Sequence, residues 1–266
     1  MRKIVALVLF FLPLVNIWSQ TITWDGKSSC LNIGNRIEIL EDPQGSFTIE
    51  DVAEGVQRDN FKPSEQIILS FGVTNAYHWI KFKLDNETQE APWLELAQPN
   101  ITSAEFFFKD SLNKWQSYKG GFEVPLDEKF KAEHHQLFPL SGKDGQYYVK
   151  FLTITAPVPV KIWKERALLR KATTQKVAIG IFTGILIFVI LNSLMMGMSL
   201  GQNMYFFYAF NVFLYFLDSA IVLDSYILFL FDGLDMMYWY NLVPTVHMAY
   251  SVFYAVVFLD IKKYLP

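Results

Sequence analysis

A run of 22 consecutive residues, 177–198, contains no charged side chain in this chain of 266 residues. Because an α-helix rises 1.5 Å per residue, the run is roughly 33 Å long, which is enough to cross the hydrocarbon part of a bilayer. Two more apolar runs follow, at residues 204–223 and 240–259. The sequence therefore predicts an α-helical transmembrane region over residues 177–266 with three spans.

The composition of the whole chain excludes several classes of protein. Charged residues make up only 18% and the formal net charge is −3, which fits neither a disordered chain nor a nucleic-acid-binding surface. The single cysteine, Cys30, excludes an intrachain disulfide and a cysteine-based zinc site. No phosphate-binding glycine loop, nucleophile turn or zinc-protease helix motif is present. We therefore expect no enzyme activity, no cofactor, no metal and no nucleic-acid partner.

The amino terminus has the pattern of an export signal. Arg2 and Lys3 precede an apolar run at residues 4–15, and small and polar residues follow up to Ser19. That run is about 12 residues long, shorter than the roughly 20 that a membrane-spanning helix needs. We predict a signal peptide at residues 1–19; the alternative is an uncleaved anchor.

Residues 20–163 hold most of the charged residues, prolines and glycines, and they predict an all-β domain. In residues 80–84, IKFKL, apolar side chains alternate with lysines, which is typical of a half-buried strand. About eight short runs of this kind, separated by turn signals such as Gly120-Gly121, predict a jelly roll or β-sandwich. Residues 164–176, which lack proline and glycine, form a juxtamembrane linker that a continuous helix could occupy.

Two signals disagree on the orientation of the β domain. A signal peptide places it outside the cytoplasm, and Lys262 and Lys263 after the third span then lie inside, as the positive-inside rule expects. Six Lys and Arg residues between 161 and 176 would then lie outside, which favours the inverted orientation. We give the signal peptide more weight because long segments translocate largely regardless of charge.

Several short motifs occur in an order that points to one family. They are YHWIKFKLDN at 77–86, ILED at 39–42, WLEL at 93–96, FPL at 138–140 and MYFFY at 204–208. Together they resemble the seven-transmembrane receptors with diverse intracellular signalling modules that carry the type-2 extracellular sensory domain. The resemblance implies a jelly-roll domain akin to carbohydrate-binding modules, seven spans, and a cytoplasmic kinase, cyclase, phosphatase or DNA-binding module. This sequence has three predicted spans and no output module, so we expect a fragment of a longer gene or a truncated gene.

The functional prediction follows from these features. We expect the ligand-sensing and signal-transducing part of a bacterial receptor, in the inner membrane with its amino-terminal domain in the periplasm. A small molecule or carbohydrate would be the ligand, and membrane lipids would be further partners. The alternatives are a carbohydrate-binding module with a membrane anchor, or a fragment of a transporter.

Tryptophans are the candidate ligand contacts, because the apolar face of a sugar ring stacks on an aromatic ring. Trp93 and Trp115 lie beside polar residues and are the two candidates, whereas we place Trp79 in the core. The alternative is that all three fill the sandwich and its rim. His134 and His135 could suggest a metal site, but adjacent residues of a strand point to opposite faces, so we expect none.

Two features of the spans are candidates for signal transmission. Asp218 and His247 are ionisable residues within predicted spans, at depths that differ by roughly 3 Å, so they could pair between antiparallel helices. The alternative is that Asp218 lies at the membrane interface. Gly180 and Gly184 form a small-residue motif that favours close helix packing, either in a homodimer or against other spans of the same receptor.

Overall fold

The structure is a computed structural model that describes residues 21–88, 90–125, 127–131, 135–140, 145–154, 157–222 and 236–259. The predicted signal peptide and His134 lie outside these ranges, as do residue 223 at the end of the second predicted span and Lys262 and Lys263 after the third. The described chain consists of β-strands up to Trp163 and three long helices after it.

Twelve strands and one short helix form the described amino-terminal domain. The strands are β1 (Ile22–Trp24), β2 (Cys30–Asn32), β3 (Glu38–Asp42), β4 (Lys62–Pro63), β5 (Ile68–Leu69), β6 (Tyr77–Asn86), β7 (Trp93–Leu96), β8 (Ser103–Lys109), β9 (Trp115–Gly120), β10 (Gln136–Pro139), β11 (Gly145–Leu152) and β12 (Val158–Trp163). The helix α1 (Ile49–Ala53) lies between β3 and β4. The eight longer strands match the runs with alternating polarity, and the four shortest, β1, β2, β4 and β5, have no such pattern.

The strands form two sheets that pack face to face. The first sheet has the order β4-β3-β6-β11-β8-β9, with β1 added alongside β6, and the second has the order β10-β7-β12-β2, with β5 added to β12. All described pairings are antiparallel except that of β1 with β6. The predicted β-sandwich is confirmed.

The core lies between the sheets and follows the predicted alternation. Ile80, Phe82 and Leu84 of β6 point inward and are fully buried, as are Leu94 and Leu96 of β7. The intervening Lys81 and Lys83 point to the other face of the first sheet. Period-two patterning therefore assigns the inward face of the central strands correctly.

The outer face of the first sheet has a small core of its own. The segment between β3 and β4, residues 43–61, folds across it, and α1 begins with a capping box between Thr48 and Asp51. Trp79 is fully buried in this second cluster, stacked on Phe107 with ring centroids 5.4 Å apart. Trp79 is buried as expected, but beneath this segment and not between the sheets.

The helices are α2 (Glu165–Leu200), α3 (Asn203–Val222) and α4 (Met236–Phe258), and each contains a stretch long and apolar enough to cross a membrane. The 36-residue α2 includes the predicted linker and the first span without a break. It ends at Leu200 and is capped by Gly201, whose φ of 62° is left-handed and favours glycine. Near that end, a Cβ on Gly197 would lie 2.9 Å from the Phe206 ring, so glycine allows α2 and α3 to approach closely.

Candidate functional site

A buried carboxylate joins the β-sandwich to the first membrane-spanning helix. Glu95 of β7 points to the outer face of the second sheet, yet only 1% of its surface is exposed. Its contacts come from His135 just before β10, Trp163 at the end of β12, and Lys171 in the second turn of α2. We call these four residues the Glu95 hub.

Every described polar contact in the hub is short. Lys171 Nζ lies 2.5 Å and His135 Nδ1 lies 2.6 Å from the same carboxylate oxygen, Oε1 of Glu95. The Trp163 indole N–H donates to the other oxygen, Oε2, over 2.6 Å. Lys171 Nζ also lies 4.9 Å from the centroid of the Trp163 ring. Both oxygens of the buried carboxylate are therefore satisfied, as a buried charge requires.

These contacts keep Glu95 ionised despite its burial. Burial alone would raise the pKa of Glu95, but hydrogen bonds from His135 and Lys171, reinforced by their charges, lower it to about 2. At neutral pH, the hub therefore holds a carboxylate against a lysine ammonium that belongs to α2.

The start of α2 is held in place by the sandwich. Trp163 ends β12, Glu165 begins α2, and the Lys164 amide between them donates to the Ser29 carbonyl over 3.0 Å. Leu168, one turn into α2, is only 5% exposed. The first two turns of α2 thus lie against the second sheet at Glu95 and Trp163, and they help to bury a glutamate on the sheet's outer face.

A cleft of about 510 Å³ lies on the other side of the sandwich, where residues from the outer face of the first sheet meet the end of α1. Trp115 of β9 lines it, with Lys109 Nζ 4.8 Å from the ring centroid and the Tyr148 ring meeting it edge-on at 5.6 Å. Lys109 also pairs with Glu54, at 2.8 Å. Asp110 and the exposed Arg58 complete the charged part of the lining.

Tyr148 supplies a hydroxyl to this cleft. It is 3% exposed, and its hydroxyl accepts a hydrogen bond from the Gln146 amide over 2.8 Å. Burial raises the pKa of Tyr148 to about 12, so the hydroxyl stays protonated and can donate at neutral pH. The cleft therefore combines an aromatic ring with charged and neutral hydrogen-bonding groups.

The two predicted ligand tryptophans lie on different sheets. Trp93 of β7 is paired in register with Trp163, beside the Glu95 hub, and Lys131 Nζ lies 4.8 Å from its ring centroid. Trp115 alone lines the cleft on the first sheet. His135, which had suggested a metal site, contacts Glu95, and no cluster of metal ligands occurs among the described residues.

Asp218 and His247 are brought together by the helices. His247 Nδ1 of α4 lies 3.2 Å from Asp218 Oδ2 of α3, and both side chains are mostly buried. One turn further along α4 and two turns earlier in α3, the Ser251 hydroxyl donates to the Asn211 side-chain oxygen over 2.9 Å. The antiparallel pair α3 and α4 is therefore joined by polar contacts within the apolar region, where such groups need partners.

Gly180 and Gly184 do not pack against the described helices. A Cβ on either residue would meet no other atom within 4 Å, whereas Gly197 lies against Phe206. In the described chain, the close approach of α2 to α3 therefore uses Gly197. The role predicted for Gly180 and Gly184 involves a surface of α2 that the described residues leave uncovered.

Sequence reasoning missed the hub. Glu95 was visible only as part of the WLEL motif, and one acidic residue on the outer face of a strand is ordinarily solvated. The signal that could have located it is Lys171, which faces back toward the domain when the linker is helical. Glu95, its partner on the sheet, lies in no sequence pattern that would mark it as buried.

These features define a class of protein: a β-sandwich domain continuous with helices of membrane-spanning length. Residues 34–164 match the family model described as 7TMR-DISM extracellular 2, and the β-sandwich domain belongs to that family. The type-2 extracellular sensory domain that the sequence motifs predict is confirmed over these residues.

A solved structure, CBM32-3 from a family 31 glycoside hydrolase from Clostridium perfringens, is also similar. The identity is 10%, the similarity covers 52% of this chain and 96% of that chain, and the TM-score is 0.22. No curated protein matches the chain.

Proposed function

We propose that the chain is the ligand-sensing and signal-transmitting part of a membrane receptor. The β-sandwich senses a ligand on the periplasmic side of a bacterial inner membrane, and α2 carries the change into the helices. The proposal assigns no enzyme activity to the chain, since no catalytic motif was found in the sequence. It rests on the Glu95 hub together with the family of the sandwich domain.

The hub supports transmission because it joins the two regions through charge and not only through the peptide chain. A flexible tether would be sufficient for an anchor, but the hub sets the angle at which α2 leaves the domain. A ligand must favour one arrangement of the domain and helices over another for a signal to pass. An arrangement that keeps the Glu95 contacts and one that breaks them are two such states.

The cleft at Trp115 supports ligand binding. Carbohydrates and related polyols present an apolar face to an aromatic ring and hydroxyls to polar groups. Trp115 offers the ring, while Arg58, Gln146 and the Tyr148 hydroxyl offer hydrogen bonds. A small polyhydroxylated molecule is therefore the ligand class that we propose.

The alternatives predict different behaviour. A carbohydrate-binding module with an anchor would bind the same ligand without any change at the hub. A transporter fragment would need polar groups along a path through the bilayer, whereas the described polar contacts between α3 and α4 pair with one another.

The test uses the full chain in lipid nanodiscs and a panel of oligosaccharides and free sugars. We expect a panel member to bind and to alter hydrogen–deuterium exchange at residues 165–171 of α2. Trp115→Ala should abolish binding, and Trp93→Ala should preserve it. Binding that leaves exchange in α2 unchanged would favour the anchored module over the receptor.

Orientation is tested separately. In a Cys30→Ser background, Lys114→Cys places one thiol in the β8–β9 hairpin and Ser199→Cys places one at the end of the first span. A membrane-impermeant maleimide added to spheroplasts should label the first thiol and leave the second unlabelled until lysis. The opposite pattern would overturn the periplasmic placement.

A further inference from the structure

A groove runs along α2 between the Glu95 hub and the start of the first apolar span. Its volume is about 540 Å³, and its lining consists of Ser29, Arg166, Ala167, Arg170, Lys171, Thr174 and Gln175. The helical residues form two adjacent rows with a spacing of four residues, so they share one face of α2. That face carries three cations and no acidic residue.

Two of these cations have no acidic partner within the described chain. Arg166 and Arg170 are exposed, and no described carboxylate lies within 4 Å of either guanidinium. Arg166 also lies in the first turn of α2, where the helix macrodipole disfavours a positive charge. Both guanidinium groups are therefore available to an anionic ligand in the groove.

The position of the groove identifies the source of the anion. Thr174 and Arg170 precede the apolar run that begins at Val177 by about 5 and 10 Å along the helix, which places them at and just above a headgroup layer that is about 5–7 Å deep on each side of a bilayer. Arginine donates paired hydrogen bonds to phosphate oxygens, and its long side chain can reach toward the membrane. We propose that this groove binds the phosphodiester headgroup of an anionic phospholipid.

The groove shares one residue with the hub. Lys171 lines the groove while its ammonium group contacts Glu95 Oε1 at 2.5 Å. A phosphodiester beside Lys171 introduces a negative charge that repels Glu95 and draws on the same ammonium group. Bound lipid therefore weakens the Lys171–Glu95 contact, and by thermodynamic reciprocity an intact Glu95 weakens lipid binding.

The test titrates the full chain, in a neutral detergent, with short-chain phosphatidylglycerol and with phosphatidylcholine of the same chain length. Each cation near a charged headgroup is worth about fivefold in binding, so we expect phosphatidylglycerol to bind at least tenfold more tightly. The double variant Arg166→Gln/Arg170→Gln should lose this preference, and Arg166→Lys/Arg170→Lys should keep part of it. Equal binding of the two lipids by the native chain would overturn the proposal.

A matched control removes the same amount of charge elsewhere. Lys62→Gln/Lys114→Gln neutralises two exposed lysines on the first sheet and should leave the preference unchanged; a comparable loss would mean that net charge, and not the groove, attracts the lipid. Inorganic phosphate should not displace the lipid at equal concentration. Displacement would identify a free-anion site and overturn the assignment to lipid.

The link to the hub has its own measurement. Glu95→Gln should raise the affinity for phosphatidylglycerol about threefold or more, because an opposing charge is removed and Lys171 is released. An unchanged or lower affinity would overturn the coupling. None of these titrations uses a ligand of the Trp115 cleft, so their failure is distinguishable from failure of the proposed receptor function.

Discussion

The outer faces of the two sheets each bury an ion pair, but different kinds of segment cover the two pairs. Each face buries a charged residue beneath a covering segment: Asp42 with Lys150 on the first sheet, and Glu95 with Lys171 on the second. On the first sheet, the cover is a loop whose two ends both return to the sandwich. On the second, the cover is the start of α2, whose other end lies among the apolar helices.

The contacts of Asp42 and Lys150 differ from those of the Glu95 hub in the parts of the chain that they join. Lys150 Nζ donates to the Gly45 and Phe47 carbonyls over 2.7 and 3.0 Å, while Asp42 accepts from the Ser46 and Phe47 amides. This cluster therefore holds the backbone of the covering loop against the first sheet, within one domain. The Glu95 hub joins side chains of β7, β12 and α2, so a broken contact there would change how α2 lies against the domain. The comparison teaches that burial of charge alone does not distinguish a structural cluster from a coupling site.

The largest expected effect comes from the first sheet. Lys150→Met removes the ionic partner of a fully buried Asp42 and leaves two carbonyls without this donor, which should cost about 3–5 kcal/mol of unfolding free energy. Chemical unfolding of the full chain in detergent measures it. Lys83→Met, an exposed lysine on β6, is the control and should cost little; equal losses would contradict a structural role for Lys150.

Acid should next weaken the hub. The pKa of Glu95 is about 2 when folded against an ordinary value of 4.5, so its contribution is complete above pH 4.5 and is lost as the pH falls toward 2. That shift corresponds to about 3 kcal/mol. Unfolding followed from pH 7 to pH 2.5 should show a steeper loss for the native chain than for Glu95→Gln. Parallel curves would mean that the hub does not hold Glu95 ionised.

At pH 7, Glu95→Gln itself should cost about 2 kcal/mol, because Lys171 and His135 lose a charged acceptor but can regain water. The effect specific to the hub is faster hydrogen exchange in residues 165–171, while exchange in the first sheet stays unchanged. Glu41→Gln, an exposed residue of β3, is the matched control. Faster exchange spread over both sheets would remove the distinction between the two faces.

The smallest expected effect tests the single hydrogen bond from Trp163 to Glu95 in the hub. Trp163→Phe keeps an aromatic ring beneath Lys171 but removes the N–H donor to Glu95, which should cost about 1 kcal/mol. Thermal unfolding of the full chain measures this, and the exchange at α2 should rise less than in Glu95→Gln. A loss larger than that of Glu95→Gln would assign Trp163 a packing role instead.

Much of the fold follows from local pattern. Alternation in β6 identified its inward face, and an apolar run without charge identified the membrane-spanning part of α2. The four shortest strands carry only two or three residues each, too few for a period to appear, and they form because longer neighbours offer unpaired edges. The placement of Trp79 depended on a covering loop that no periodicity encodes.

The candidate site was less accessible to sequence reasoning. Asp218 and His247 could be paired because helical rise converts position into depth. Trp115 could be named as a ligand candidate, but its cleft is built from α1, β8 and β11, which only the folded topology brings together. Glu95 looked like an ordinary surface residue because its burial depends on a helix that begins 70 residues later.

The unbroken α2 has a mechanical consequence. At 36 residues it is about 54 Å long, nearly twice the thickness of the hydrocarbon layer, so it acts as a lever whose short arm stands above the lipid. A rotation of about 5° at the Lys171 end would displace the far end, about 44 Å away, sideways by about 4 Å. Gly201 lies at that far end, so a small tilt near the domain becomes a larger sideways movement where α2 meets α3.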